Sequence, residues 1–298
     1  MPHVESSYSV ISDLRDISEA YGSMLYDTHP SHSVNQSSKD LSELKSRLDS
    51  MTSRQISMCF DESIFGYDEM IKALMESGAF EKVLSKGSSR TALLTMDDTV
   101  LKIADNVSGL KQNMAESRNA SIKNRYGCFA YTLWKSRNGF ALEVERARPL
   151  DGGELEFEEI MGVKLDIYWN YLRYLRLSSL TPKRRDDLYR SMMDRSVYRW
   201  FDMDVLADDH AEVAQYLKSS PMTEAKRVML NLGRYLMEHP SGSDFTFRDA
   251  NRSENWGKVE RNGETVCVIV DHGATDRILN HDYNWVDSTY LHDRYGRR

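Results

Sequence analysis

The sequence predicts an α+β fold in two parts, a small antiparallel sheet and then a helical region, with a helical extension in front. Three observations predict it. Apolar residues recur at helical spacing until about residue 79, then give way to short apolar strands separated by turns. Beyond Pro149-Leu150-Asp151-Gly152-Gly153 the helical period returns. Late in the chain the polar stretch Phe247-Arg248-Asp249-Ala250-Asn251-Arg252-Ser253-Glu254-Asn255-Trp256-Gly257 precedes the apolar strand Val266-Cys267-Val268-Ile269-Val270, which ends in Asp271-His272-Gly273. The expected divisions are residues 1–79, 80–150 and 151–298.

In the extension, Leu14, Ile17, Ala20, Tyr21, Met24 and Leu25 keep a helical period, and residues 29–38 read as a Ser, His, Pro and Asn loop. Leu41, Leu44, Leu48 and Met51 form a second helical stripe with Ser38 as its N-cap. Ile71, Leu74 and Met75 form a third, closed by Gly78. Nothing in the pattern ties these helices to the rest of the chain.

Strands are expected at residues 80–84, 91–95 and 100–104, with turns at Lys86-Gly87-Ser88-Ser89-Arg90 and Met96-Asp97-Asp98-Thr99. One helix over 109–124 comes next, then strands at 127–134 and 140–145 around an Arg137-Asn138-Gly139 turn. Helices are expected over 156–177, 183–201, 210–217 and 223–238, before strands near 257 and 266–270. Pro182 and Pro221 lie near two helix starts, where proline is tolerated.

A chain of 298 residues with 40% hydrophobic and 29% charged residues can build a sizeable core. The net charge of −7 speaks against a generic grip on nucleic-acid backbones. Tyrosines and arginines interleave over 168–176 and 189–200, a mixture that can stack on single strands. At helical spacing they read more simply as a core stripe flanked by arginines. Cys59, Cys128 and Cys267 stand far apart and away from histidine pairs, as buried thiols in a reducing compartment do. No apolar run reaches the ~20 residues of a membrane span, and no secretory leader is visible, so the cytoplasm is the expected location.

Chemistry concentrates in the late hairpin. Two carboxylates and an amide there, Asp249, Asn255 and Asp271, can hold a hard divalent cation and orient a hydroxyl. Asp, Asn and Gly are also ordinary turn residues, so a plain hairpin is the competing reading. Lys102, within Val100-Leu101-Lys102-Ile103-Ala104, is a strand lysine flanked by apolar residues; it needs a partner or must project to solvent.

Taken in order, these residues resemble the protein-kinase-like fold over about residues 80–280, closest to short kinase-like proteins predicted in bacteriophages. The resemblance implies a bilobal α+β protein with ATP and Mg2+ as cofactors. Lys102 resembles the strand lysine that binds phosphates and pairs with a helix glutamate, here Glu116. Gly87, Ser88 and Ser89 would cover the phosphates, with only one of the usual glycines. Glu145 and Ala147, in Glu143–Leu150, would lie at the adenine-binding hinge. Arg248-Asp249 is similar to the catalytic-loop entry, with Phe247 in place of histidine, and Asp249 would orient the acceptor hydroxyl. Asn255 and Asp271 would bind metal. Asp249 and Asn255 stand one residue further apart than the family spacing, and His272 replaces a phenylalanine. The implied activity is phosphotransfer to an unknown acceptor, a protein hydroxyl or a small molecule, with a host protein and host cytoplasm if the chain is viral. Nucleotidyl transfer would use the same residues. The short stretch after Gly273 leans toward a compact phosphotransferase. The alternative is a catalytically inactive pseudokinase that serves as a binding or structural protein.

Overall fold

A computed structural model describes residues 34–60, 67–179, 203–239 and 252–272. The helices expected at 12–25 and 183–201 lie outside them, as does Asp249. The chain divides into two compact units, Met1–Asn113 with Leu133–Glu145, and Met114–Thr132 with Arg146–Arg298.

The first unit is built on an antiparallel sheet. Its strands are β1 (Phe80–Lys86), β2 (Arg90–Thr95), β3 (Thr99–Ala104), β4 (Thr132–Lys135) and β5 (Ala141–Glu145), in the order β1-β2-β3-β5-β4. Asp98 takes a left-handed conformation (φ 60) to close the β2–β3 turn, a conformation aspartate tolerates better than most residues. Register then sorts the side chains. Lys102 lies opposite Ala92 and Leu142, and Val100 opposite Leu94 and Val144, so these share one face. Leu93, Leu101, Ile103 and Glu143 share the other.

Three helices cover that second face: α1 (Val34–Ser50), α2 (Ser53–Cys59) and α3 (Tyr67–Glu76). Leu41, Leu44, Leu48, Ile56, Tyr67, Met70 and Leu74 form one core with Leu93, Leu101, Ile103 and Phe140. The extension is therefore not loosely attached where it is described; it supplies half of this core. A sheet face made of Leu and Ile must be covered, and helical periodicity shows that a helix has an apolar stripe without showing what that stripe meets. Polar contacts fix the docking. Arg137 bonds Asp49 at 2.7 Å, and the Asn138 amide donates to the Leu48 and Met51 carbonyls. α1 begins at Val34, inside the loop expected over 29–38. α2 begins with a capping box between Thr52 and Gln55.

The single helix expected at 109–124 is two, α4 (Val107–Glu116) and α5 (Ala120–Tyr126), separated by Asn119 in the left-handed region (φ 55). The division between units passes through α4. The strand expected at 127–134 also divides. Only Thr132–Lys135 joins the five-stranded sheet, while Phe129 bridges Ile269.

In the second unit a three-stranded sheet, β6 (Arg148–Pro149), β7 (Trp256–Arg261) and β8 (Glu264–Ile269), packs with helices α6 (Glu154–Met161), α7 (Leu165–Ser179), α8 (Met203–Lys218) and α9 (Glu224–Glu238). One helix was expected over 156–177; Gly162, at φ 75, ends α6 and splits it. Phe157, Tyr168 and Trp256 meet at the centre, with Phe157 edge-on to Trp256. Tyr168 and Leu172 are fully buried, and the Arg173 guanidinium lies 4.3 Å from the Trp169 ring. The aromatic and arginine mixture of α7 is thus a core stripe with an arginine beside it. Among the described residues no helix is long and apolar enough to cross a membrane.

Candidate functional site

Lys102 and the turn before it lie in the first unit. The lysine is 8% exposed, in a small apolar patch of Ala92, Val100, Leu142 and Val144. It does not project to solvent. Its carbonyl accepts from the Asn113 amide at 3.4 Å, and Asn113 also donates to the Gly139 and Phe140 carbonyls and accepts from Arg90. One buried asparagine thus ties α4 to the sheet behind the lysine.

The Gly87–Arg90 turn closes with the Gly87 amide donating to the Arg90 carbonyl at 2.9 Å. Ser88 is exposed and Ser89 buried. Both carbonyls are held: Ser88 accepts from the Asn106 amide at 3.0 Å, and Ser89 accepts from the Asp105 backbone at 3.0 Å. Asn106 in turn accepts from the Gly109 amide. The turn is therefore stapled to the start of α4. Glu145 ends β5, half-buried, opposite Thr99.

Glu116, Ala147, Asn255 and Asp271 lie in the second unit. Glu116 is the last residue of α4 and 1% exposed, so it is no surface acid. Ala147 packs on the helical core and crosses β7 so closely that a Cβ on Gly257 would stand 2.7 Å from its own. Asn255 closes a short 3-10 turn (Ser253–Asn255) before β7. The Val270 amide donates to the Asn255 carbonyl at 2.9 Å, continuing the β7–β8 ladder that pairs Trp256 with Ile269. The amide residue and Asp271 are thereby brought to the same end of one hairpin, sixteen positions apart in sequence but neighbours on the ladder.

Oxygen donors of this type suit Mg2+, which binds through one or two carboxylates and keeps several waters. No three His, Cys, Asp or Glu side chains converge among the described residues, so a cage made wholly of protein is not formed there. Burial raises the Cys59 thiol to about 11 and the Cys267 thiol to about 12, and pushes Cys128 up as well. None is an activated nucleophile.

Two participants, Phe129 and Lys123, were not legible in the sequence, and both meet at His272. The imidazole is 1% exposed and stands edge-on to the Phe129 ring, centroids 4.7 Å apart. Lys123, also 1% exposed, reaches the Ala115 and Glu116 carbonyls at 3.3 and 3.1 Å and His272 Nδ1 at 3.5 Å. Sequence rules place lysine at surfaces, so nothing in Ser121-Ile122-Lys123 signals this burial.

No family model matches the chain, and no curated protein does. Among solved structures it is similar to the streptomycin–ATP ternary complex of APH(2")-IIa. Identity there is 11%, 70% of each chain is covered, and the TM-score is 0.30. A GDP and kanamycin complex of a second APH(2") enzyme has 16% identity over 70% of this chain and 72% of that one, at a TM-score of 0.27. A GDP complex of a variant aminoglycoside 2'-phosphotransferase has 16% identity over 70% and 71%, also at 0.27. The chain has the α+β architecture expected from its sequence, an antiparallel-sheet unit and a helical unit that carries the late hairpin.

Proposed function

We propose that the protein is an ATP- and Mg2+-dependent phosphotransferase of protein-kinase-like fold. The observation that carries this is the hairpin end, where the Val270 amide donates to the Asn255 carbonyl, so that Asn255 and Asp271 stand at the same end of one hairpin. The buried lysine of the apolar sheet face supports it. In this reading Asp271 and Asn255 hold the cation, which when bound neutralises charge on the phosphates. Lys102 takes the role of the phosphate-binding strand lysine, with Glu116 as the partner that the kinase-like resemblance implies. The Gly87–Ser89 turn covers the phosphates, and the backbone of Glu145 and Ala147 holds the base. The acceptor oxygen attacks the γ-phosphorus, the bond to the β–γ bridging oxygen breaks, and ADP leaves. Asp249 takes the acceptor proton.

The test uses ATP labelled separately at the α and γ positions, with a panel of protein and small-molecule alcohols as acceptors. Gamma label on an acceptor, lost in Asp271→Ala and in Lys102→Ala, is the expected result. Alpha label on the acceptor would replace this reading with nucleotidyl transfer. Absence of both labels, with no change in melting temperature on adding millimolar MgATP, would leave a non-catalytic binding protein.

A further inference from the structure

We infer that Lys123 is a positioning residue that holds Asp271 in place through His272; the inference rests on the phosphotransferase reading above. Asp271 lies beside anchored residues. The Ile269 amide donates to the Cys128 carbonyl at 3.0 Å, and its carbonyl accepts from the Ala130 amide at 2.9 Å. The Val270 amide is bound to Asn255. On the far side His272 is buried against Phe129 and meets the Lys123 ammonium. Asp271 therefore sits between a doubly hydrogen-bonded strand end and a buried imidazole.

The ammonium is itself well placed. Lys123 lies on α5, and two of its acceptors are the last carbonyls of α4, where the helix dipole favours a cation. It also lies 5.7 Å from the centre of the Phe129 ring. An ammonium has only protons to give. His272 Nδ1 must therefore accept, which puts the imidazole proton on Nε2 and fixes the ring's orientation. The same side chain thus bonds the carbonyl of Glu116 and the residue that follows Asp271. It ties the turn that ends in the proposed lysine partner to the proposed metal ligand, without itself touching substrate.

Partners that orient a metal ligand change metal affinity or activity by about 10–100-fold when removed. The experiment compares wild type, Lys123→Met and His272→Phe in the full chain. Melting temperature and circular dichroism establish folding. His272→Phe keeps an aromatic ring against Phe129 but removes the acceptor, and so serves if Lys123→Met does not fold. The expected result is a rise of about tenfold or more in the Mg2+ concentration giving half-maximal transfer, with KM for ATP changed much less. A matching loss of Mn2+–ATP affinity is expected by electron paramagnetic resonance. Nitrogen NMR of the wild-type His272 ring should show Nδ1 without a proton. Folded variants with wild-type Mg2+ and Mn2+ dependence would overturn the inference and leave the phosphotransferase reading standing. A wild-type protein that neither binds MgATP nor transfers its phosphate would remove both.

Discussion

Asp105 shows how a single carboxylate can work against the fold that holds it. Its Oδ1 is buried without a hydrogen-bond partner, and burial raises its pKa above the ordinary 3.8, opposed by the positive charges of Lys86 and Arg90. A carboxyl whose folded pKa is raised binds its proton more tightly when folded. Stability then falls as pH rises from 3.8 through the folded value and stays lower above it. Asp105→Asn should therefore melt higher than wild type at pH 7. The advantage should shrink as pH falls toward 3.8 and vanish below it. Melting curves at several pH values decide this, and an equal gain at all pH values would exclude the charge as its cause. At the same scale the two candidates at the hairpin end differ in legibility. Asp271 is visible in sequence because an acid after an apolar strand and before glycine is an unusual place for a charge. Lys123 is invisible, because its burial depends on the turn that brings it back to the last carbonyls of α4 and on His272, far along the chain.

Among the elements, α4 and the turn at Gly87–Arg90 behave as one piece. A Cβ at Gly109 would lie 2.0 Å from the Ser89 carbonyl oxygen and 3.0 Å from the Ala104 Cα, both backbone atoms that cannot rotate away. Alanine is ordinarily the better helix former by roughly 0.5–1 kcal/mol, but forced overlap in a packed site costs about 1–3 kcal/mol. Overlap wins, so Gly109→Ala should lower the melting temperature by several degrees. It should also weaken ATP binding, because the stapled turn must move. A variant as stable as wild type would show that the helix and turn are not in tight contact. Several elements follow from local pattern alone. β3 and β8 are short apolar runs, and α9 begins where Thr223 caps it by accepting from the Lys226 amide. The splits at Asn119 and Gly162 were not legible. Periodicity runs through both breaks, and the fold decides where the helix turns away.

For the first unit as a whole, stability depends on how α1 meets the sheet. Lys45 binds Glu143 at 2.5 Å, and Glu143 also accepts from the Thr99 hydroxyl at 2.8 Å. Glu143 is buried while Lys45 keeps 22% exposure. Removing one member of a fully buried pair costs about 3–5 kcal/mol; the partial exposure of Lys45 puts Lys45→Met toward or below the lower end. Adding Glu143→Leu should recover most of the loss, since an apolar pair of similar volume is often as stable as the ion pair it replaces. Thr99 then retains its bond to Thr95. Urea unfolding of the two single variants and the double variant measures the coupling. Simple addition of the two losses would mean that the helix is held by its leucines alone.

What the sequence determined by itself was the kind of elements, their order, and the candidate acids at the end of the late hairpin. Those come from local periodicity and turn chemistry, which act over a few residues. The tertiary structure decided which faces meet. It laid the N-terminal helices on the sheet, buried Glu116, Lys123 and His272, and brought Asn255 alongside Val270 and Asp271. Such choices depend on burial and hydrogen bonding between residues far apart in the chain, and no local pattern records them.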